Sequence, residues 1–492
     1  MEEQREEPVV IVGAGVGGLA AALAFARAGY GVTVLERDPL PATATAEEAF
    51  VSERRGAPQV HQTHGFLARL PVVLRERFPD VLDALLAAGC TTMPTTANLG
   101  DPRPGDEDLR VLIVRRTTFE WVLRKAVLAE PGVEVRTGVG VAGLEAVADV
   151  DAAIPRVTGV RLDDGAVVDA GIVIAATGRR GPVPQWVATA GADVPETVHE
   201  SGLMYLSRWY RLAGDVDLTT DPKLGGDLGF VKYLGVPGDG GTLSVTLAIR
   251  SDDAELRHAL SEPDGFDRAC RLLPGPDRFF AAPLEPIGGV RPMGGLLNRL
   301  RRFLDDDGRP RLLGFHALGD AHTCTNPLYG RGCSLAFVQA VLLADAAVAH
   351  PGDDEGRAIA YESACAREVE PWFDVSVQMD SMGADPAGLG ALGAGDGGPA
   401  DTGAADGASS AAAKGLAAVF AAAATDPIIG RAIMRFMNLL ATPADLMADA
   451  EFLARAAAVM ADPDSVTIPP RDGPTRRELL EQLTASAAPT ST

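Results

Sequence analysis

The chain has 492 residues, 47% of them hydrophobic, enough to bury a large core divided among two or three structural units. Its 67 acidic against 44 basic residues leave a formal net charge of −23, which a nucleic-acid backbone would repel, so nucleic acid is not expected as a partner. Five cysteines without a CxxC pair argue against a disulfide scaffold or zinc site and no metal is expected; with an acidic MEEQREEP start and no apolar run of the ~18 residues that a spanning helix needs, neither a secretory signal nor a transmembrane segment is read, and a cytoplasmic location is expected.

The first element is an apolar strand, Val9 to Val12, followed by Gly13-x-Gly15-x-x-Gly18, an Ala-rich helix and a second strand ending in Glu36. Gly13 allows a tight turn, Gly15 lets backbone approach a pyrophosphate, and Gly18 lets the helix lie close on the sheet with its N-terminus aimed at phosphate. Glu36 is expected at ribose hydroxyls, with Arg37 beside it on the dinucleotide. A glycine-rich structural turn is the alternative, but strand, helix and acid all stand at the required places.

Val111 to Arg116 reads as a strand ending in two arginines. TTFEWVLRKAVLAE continues it as an amphipathic helix with Phe119, Val122, Leu123 and Val127 on one face, and Arg115 is expected to be a surface charge. Gly138 to Leu144 supplies another strand, and IVIAATGRRG a strand and turn through Thr177 and Gly178. Then MYLSRWYRL, GFVKYLGV and TLSVTLAIR, separated by glycine turns such as PGDGG, suit an antiparallel sheet. Alternation sends only part of the set Tyr205, Trp209 and Tyr210 to one face. The basic run RLRRF at 299–303 is expected on a solvated face or at the start of a strand.

Residues 319–332, GDAHTCTNPLYGRG, form a Gly/Pro loop, and CSLAFVQAVLLADAAVAH reads as the helix after it. From 383 to 413 large apolar side chains are too few to offset ordering entropy, so a flexible loop is expected. Residues 414–461 are helical by pattern, with Ile428, Ile429, Ile433, Phe436 and Met437 near one face and Arg431 and Arg435 elsewhere; packing on the catalytic domains is expected ahead of a membrane-surface role.

The loop at 319–332 resembles the GDAxHxxxPxxGxG segment of FAD-dependent, class A-like flavoprotein monooxygenases. The resemblance implies an α/β fold: a Rossmann-like FAD-binding domain of the glutathione-reductase type in two parts (1–195 and 300–350), an inserted antiparallel substrate sheet (196–299) and a C-terminal helical region (351–492). It implies that Asp320 binds the ribityl chain and that Pro327, Gly330 and Gly332 bring backbone N–H groups to the flavin. Arg116 and Gly178 would contact FAD, and Val141 would meet adenine. Gln59, His61 and His64 lie in the segment that approaches the flavin in relatives, and His322 sits beside Asp320; Gln59, His64 and His322 are the catalytic candidates, although the histidines also read as ordinary loop residues. Tyr205, Trp209 and Tyr210 are the candidate substrate contacts.

One signature departs from this pattern. Class A hydroxylases carry a DGxxSxxR-like segment whose aspartate serves FAD and NADPH, whereas here Thr177 precedes Gly178. A TGR turn is more similar to the flavin epoxidases of polyether biosynthesis and related actinobacterial oxidoreductases. The resemblance therefore implies a monooxygenase that hydroxylates or epoxidises an apolar, polyketide-like substrate through a flavin C4a-hydroperoxide, using O2 and electrons from NAD(P)H or a partner flavin reductase. A reductase or dehydrogenase of the geranylgeranyl-reductase type shares the same cofactor motifs, and a non-catalytic flavin-binding redox partner is the third class. None of Trp121, Trp186, Trp209 or Trp372 lies in a WxWxIP segment, which disfavours a flavin halogenase.

Overall fold

The computed structural model describes residues 5–40, 42–96, 99–147, 154–212, 214, 224–384, 407–467 and 471–485. At its centre, Arg5–Val12 pairs in parallel with Tyr30–Glu36 and with Ile172–Ala175; Val133–Thr137 and Phe315–Ala317 extend the sheet at its two edges. Val9, Val10 and Ile11 are all buried without alternation because both faces are covered. Val9 and Ile11 pack with the helices Val16–Arg27, Arg116–Ala129 and Gly332–Ala349, while Val10 and Val12 pack with the antiparallel meander Val141–Val147, Arg156–Leu162 and Val167–Asp169. The fold is the expected α/β one, and the parallel sheet takes four strands from before residue 176 and its edge strand Phe315–Ala317 from much later in the chain.

Among the described residues, the 18-residue helix Gly332–Ala349 has the length and composition of a membrane span, although Gln339 and Asp345 interrupt its apolar run. Two-thirds of it is buried within the protein, between Val16–Arg27 and Asp354–Glu368, and a helix buried on nearly all sides is apolar all round for that reason.

A second sheet is wholly antiparallel, ordered Gly225–Asp227, Val231–Gly238, Thr242–Arg250, Leu203–Leu212 and Leu284–Met293. Leu206 and Tyr210 face a back layer formed by Ala254–Ser261, Pro263–Leu272 and Pro276–Phe279, helices that the strand patterns do not announce. The late helix Arg476–Ala485 returns to this layer and buries Leu479 and Leu483 there. Tyr205, Ser207 and Trp209 occupy the opposite face, which is turned toward the segment Gln62–Gly65.

Two arginine assignments are corrected. Arg299 and Arg301 of RLRRF are buried in a small sheet of Glu196–Glu200, Leu297–Arg301 and Thr323–Cys324. Arg299 donates to the carbonyls of Arg179 and Asp320, and Arg301 donates to the carbonyl of Ala321. Arg115 is 1% exposed, because the hairpin turn carrying Asp239 closes over it. Its backbone N–H and Nε donate to the two Asp239 oxygens at 2.7 and 3.0 Å, and the Phe50 ring lies 4.5 Å from the guanidinium carbon.

Of the loop expected at 383–413, residues 385–406 lie outside the described residues; 383–384 finish the helix Pro371–Ala384, and 407–413 already belong to the helix Gly407–Ala422. Pro427–Met437 follows and buries Ile429 and Ile433, but Arg431 is buried too, paired with Asp106 at 2.9 Å. Asn438 accepts from the N–H groups of Ala68 and Arg69, through its side chain and its carbonyl respectively, so this helical region is seated on the FAD-type unit.

Removing Asp239 leaves the buried Arg115 guanidinium with the half-exposed Glu47, at 2.7 Å, as its remaining carboxylate partner among the described residues. Asp239→Ala is therefore expected to destabilise the protein by about 3–5 kcal/mol in urea unfolding, with Asp239→Leu/Arg115→Met costing clearly less than the single variant.

Candidate active site

Gly13 turns the chain at φ +109°, and a Cβ there would stand 2.5 Å from the carbonyl oxygen of Ala176. At Gly18 a Cβ would stand 1.8 Å from the Gly13 carbonyl oxygen, so helix and turn touch backbone to backbone. Gly15 is different. A Cβ there would meet no protein atom within 4 Å, because Gly15 faces a cavity of about 550 Å³, within the range of small-molecule and cofactor sites. The helix Val16–Arg27 starts at this opening, so its free N–H groups and positive end face the same space.

The cavity wall gathers residues far apart in sequence: Gly13, Gly15, Glu36 and Arg37; Gln59 and Gln62 to Gly65; Arg116; Val141; Thr177 to Gly181; Tyr205; and Asp320, Pro327, Gly330 and Gly332. The expected cofactor contacts other than Gly18, which lies behind the turn, are thereby brought together. Glu36 Oε2 accepts from the Ala14 N–H at 2.8 Å and Oε1 from the Asp38 N–H at 2.9 Å, which orients the carboxylate along the wall. Asp320 accepts no hydrogen bond from the described residues. Its burial raises the carboxyl pKa, against the opposing charges of Arg179, Arg116 and Arg299. A partly buried carboxylate with free lone pairs beside a helix N-terminus, an open glycine cradle and the Glu36 carboxylate on the cavity wall fit the hydroxyls and diphosphate of FAD.

Beneath the cavity lies a charge cluster that sequence alone does not display. Arg116 donates from Nε to Glu120 at 2.7 Å and from Nη1 to Cys333 Sγ at 3.0 Å. Arg54 reaches the same Glu120 at 2.6 Å and Glu36 at 3.3 Å. Burial opposes ionisation of Glu120, but Arg116 and Arg54 prevail and hold its pKa at about 2. The only sequence signal was the i,i+4 spacing of Arg116 and Glu120 on one helix. Also unannounced is a hydroxyl chain on the front of the antiparallel sheet. Ser207 donates to Gln62 Oε1 and contacts Thr246, Thr246 contacts Thr63, and Thr63 contacts Ser244. It anchors the segment Gln62–His64 to the sheet.

The histidines separate. His64 lines the cavity, with Nδ1 3.0 Å from the Gln62 carbonyl oxygen; burial, then the charge of Arg116, lowers its pKa to about 3, so it is neutral at physiological pH. His61 is buried outside the cavity wall, against Ser52 and Phe50. His322 is fully buried away from the cavity: Nε2 lies 3.1 Å from Glu362 and Nδ1 2.7 Å from the Thr323 hydroxyl. His322, Glu362 and Glu370 offer ligand atoms within 4.8 Å of one another, but Arg302 pairs with Glu370 and the His322–Glu362 contact is direct, so the group is balanced as it stands. Of the aromatic trio, Tyr205 alone lines the cavity. Trp209 Nε1 donates to the His61 carbonyl, and Tyr210 OH donates to Asp267 on the far side of the sheet.

Residues 8–58 match the family model described as FAD dependent oxidoreductase. No curated protein sequence matches the chain. Among solved structures, a flavoprotein/dehydrogenase from Cytophaga hutchinsonii is similar over 93% of this chain and 99% of its own, at 16% identity and TM-score 0.60. PqsL, a probable FAD-dependent monooxygenase from Pseudomonas aeruginosa, covers 77% of this chain and 95% of its own at 18% identity and TM-score 0.55. The myxobacterial chondrochloren halogenase CndH covers 75% and 79% at 18% identity and TM-score 0.54. At these identities the likeness is one of fold: the chain has the fold of FAD-dependent oxidoreductases.

Two outcomes follow from this geometry. Gly15→Ala places a Cβ in the open cradle without touching protein, so it is expected to weaken FAD uptake at least tenfold in a fluorescence titration while leaving the unfolding free energy within about 0.5 kcal/mol of wild type, whereas Gly18→Ala is expected to destabilise the fold itself. His64 has its folded pKa below its usual 6.5, so its contribution is fully present above pH 6.5 and is lost as pH falls toward 3. Urea unfolding at pH 7 and pH 5 is expected to show wild type losing up to about 2 kcal/mol more than His64→Gln over that interval.

Proposed function

We propose that the chain is an FAD-dependent monooxygenase that hydroxylates or epoxidises a largely apolar, polyketide-like small molecule. The observation that carries this reading is the single cavity onto which the dinucleotide-type turn, the Asp320–Gly332 segment and the front of the antiparallel sheet all open. Bound there, FAD would supply the redox chemistry with O2, and the tasks left to the protein are to bind, orient and exclude water. Gly13, Gly15 and the Val16–Arg27 N-terminus would hold the diphosphate, Glu36 and Arg37 the adenosine side, and Asp320 the ribityl chain. The helix beginning at Gly332 opens onto the same cavity, and its positive end would favour negative charge on a reduced flavin bound there.

Tyr205 and Met293 give the substrate side an aromatic and aliphatic wall. Neutral His64 and the amide of Gln59 would orient polar substrate groups without placing a charge there. For a substrate oxygen, neutral His64 is a hydrogen-bond partner before it is a proton acceptor, because its pKa of about 3 makes it a weak base. This suits transfer to an alkene or an already nucleophilic carbon. A cytoplasmic setting belongs to the same reading.

The electron donor in this proposal is NAD(P)H or a separate flavin reductase. Arg55 and Arg180 line the cavity with no carboxylate partner among the described residues, and their free positive charge favours a phosphate-bearing donor despite Thr177. A second reading, hydride transfer by a reductase or dehydrogenase, draws support from the same cofactor geometry and from the dehydrogenase among the similar folds.

The two are separated by oxygen. The protein with FAD is expected to bleach at its visible band when NADPH or a flavin reductase is supplied anaerobically, and to give a product carrying one atom of ¹⁸O when ¹⁸O2 is admitted with an apolar alkene or phenol. Substrate turnover that proceeds without O2 would replace the monooxygenase reading by the dehydrogenase one.

A further inference from the structure

The C-terminal helix Pro371–Ala384 sends one carboxylate, Asp380, toward the loop that closes the cavity. Its Oδ1 accepts from Asn326 Nδ2 at 2.8 Å and from the Tyr329 hydroxyl at 2.6 Å, and its Oδ2 accepts from Asn298 Nδ2 at 2.7 Å. Asn298 and Asn326 are fully buried, so each of these donors would be costly to leave unpaired. Asn326 carries the arrangement onward. Its Oδ1 accepts from the Tyr205 hydroxyl at 2.8 Å and from the Leu328 N–H at 3.1 Å, and its own N–H donates to Asn298 Oδ1 at 2.7 Å.

The polarity of this chain leaves one solution. Three donors converge on the two Asp380 oxygens, so both oxygens of this carboxylate act as acceptors. With Nδ2 of Asn326 held there, Oδ1 faces Tyr205, and the Tyr205 hydroxyl points into the protein while its ring faces the cavity. The same helix grips the adjoining Arg331, which is fully buried, bonds to Ser376 and Met379, and lies 4.7 and 5.2 Å from the Tyr329 and Trp372 rings.

We propose that Asp380 is a positioning residue for the active site, fixing the Asn326 amide, the Tyr205 ring and the turn Pro327–Gly330, so that the C-terminal helical region braces the cavity wall from behind. The proposal rests on the reading of that cavity as the FAD and substrate site.

Asp380→Asn tests it, because the new amide points a donor at one of the donors it must accept. Converting its neighbour as well restores the pairing: in Asp380→Asn/Asn298→Asp, residue 380 donates where it formerly accepted, and residue 298 still accepts from the Asn326 N–H. FAD affinity by fluorescence quenching and the shape of the bound flavin's visible band are the readouts. Asp380→Asn is expected to weaken FAD binding about tenfold and to shift the band, and the double variant to return to within about threefold of wild type with the original band. Tyr205→Phe keeps the ring and removes only the hydroxyl, and is expected to change the band without the tenfold loss. Wild-type affinity and band in Asp380→Asn, a double variant no closer to wild type than the single, or an unshifted band in Tyr205→Phe each overturns the proposal. Should Asp380→Asn fail to fold, the double variant and Tyr205→Phe decide it by the same readouts. A wild-type chain that takes up no FAD overturns the functional reading on which the proposal rests, a result distinct from wild-type uptake with an unaffected Asp380→Asn.

Discussion

Buried arginines bind this molecule together, and in a chain of net charge −23 they are the scarce partner. Arg115 joins the FAD-type unit to the antiparallel sheet through Asp239, Arg299 and Arg301 tie the small three-stranded sheet to the turns at Arg179, Asp320 and Ala321, and Arg431 seats the C-terminal helices through Asp106. Each contact crosses a seam between units, and each directs several fixed donors at a carboxylate or at backbone carbonyls that would otherwise be buried without partners. The Arg299 contacts reach the cavity wall itself, at Arg179 and Asp320.

The same economy of charge shapes the cavity itself. Arg116 and Arg54 share Glu120, which leaves their positive charge largely answered before any ligand arrives, while Asp320 keeps its lone pairs free. His64 stays neutral because the pocket wall removes water from it and Arg116 opposes a second cation. In the proposed function, the wall would offer hydrogen-bonding groups of fixed polarity to the cofactor and an uncharged surface of Tyr205, Met293 and neutral His64 to the substrate. That division suits a reaction whose chemistry belongs to the cofactor and whose protein part is orientation.

Local, periodic features were legible in the sequence. Gly13, Gly15 and Gly18 announce their roles because all three stand within one strand–turn–helix unit at fixed spacing, and Phe119, Val122, Leu123 and Val127 turn one face inward as their spacing requires. What was not legible depends on partners distant in the chain. Arg115 reads as a surface charge until Asp239, 124 residues on, folds over it; RLRRF looks solvated until its backbone pairs with Glu196–Glu200 and Thr323–Cys324. Tyr205 faces the cavity whereas Tyr210 faces away, as alternation demands, yet which face is which is settled by the unannounced helices behind the sheet. His322 shares a motif with Asp320 but not its direction, because one residue of 3-10 turn is enough to send the two side chains to opposite sides.

The central claim is that these distant segments close around one FAD site. The most direct test is the visible spectrum of the purified chain after incubation with FAD and gel filtration. A flavin band co-eluting at one FAD per chain, with absorbance maxima displaced from those of free FAD, is the result the account predicts. A colourless protein that retains no FAD after this treatment would contradict it.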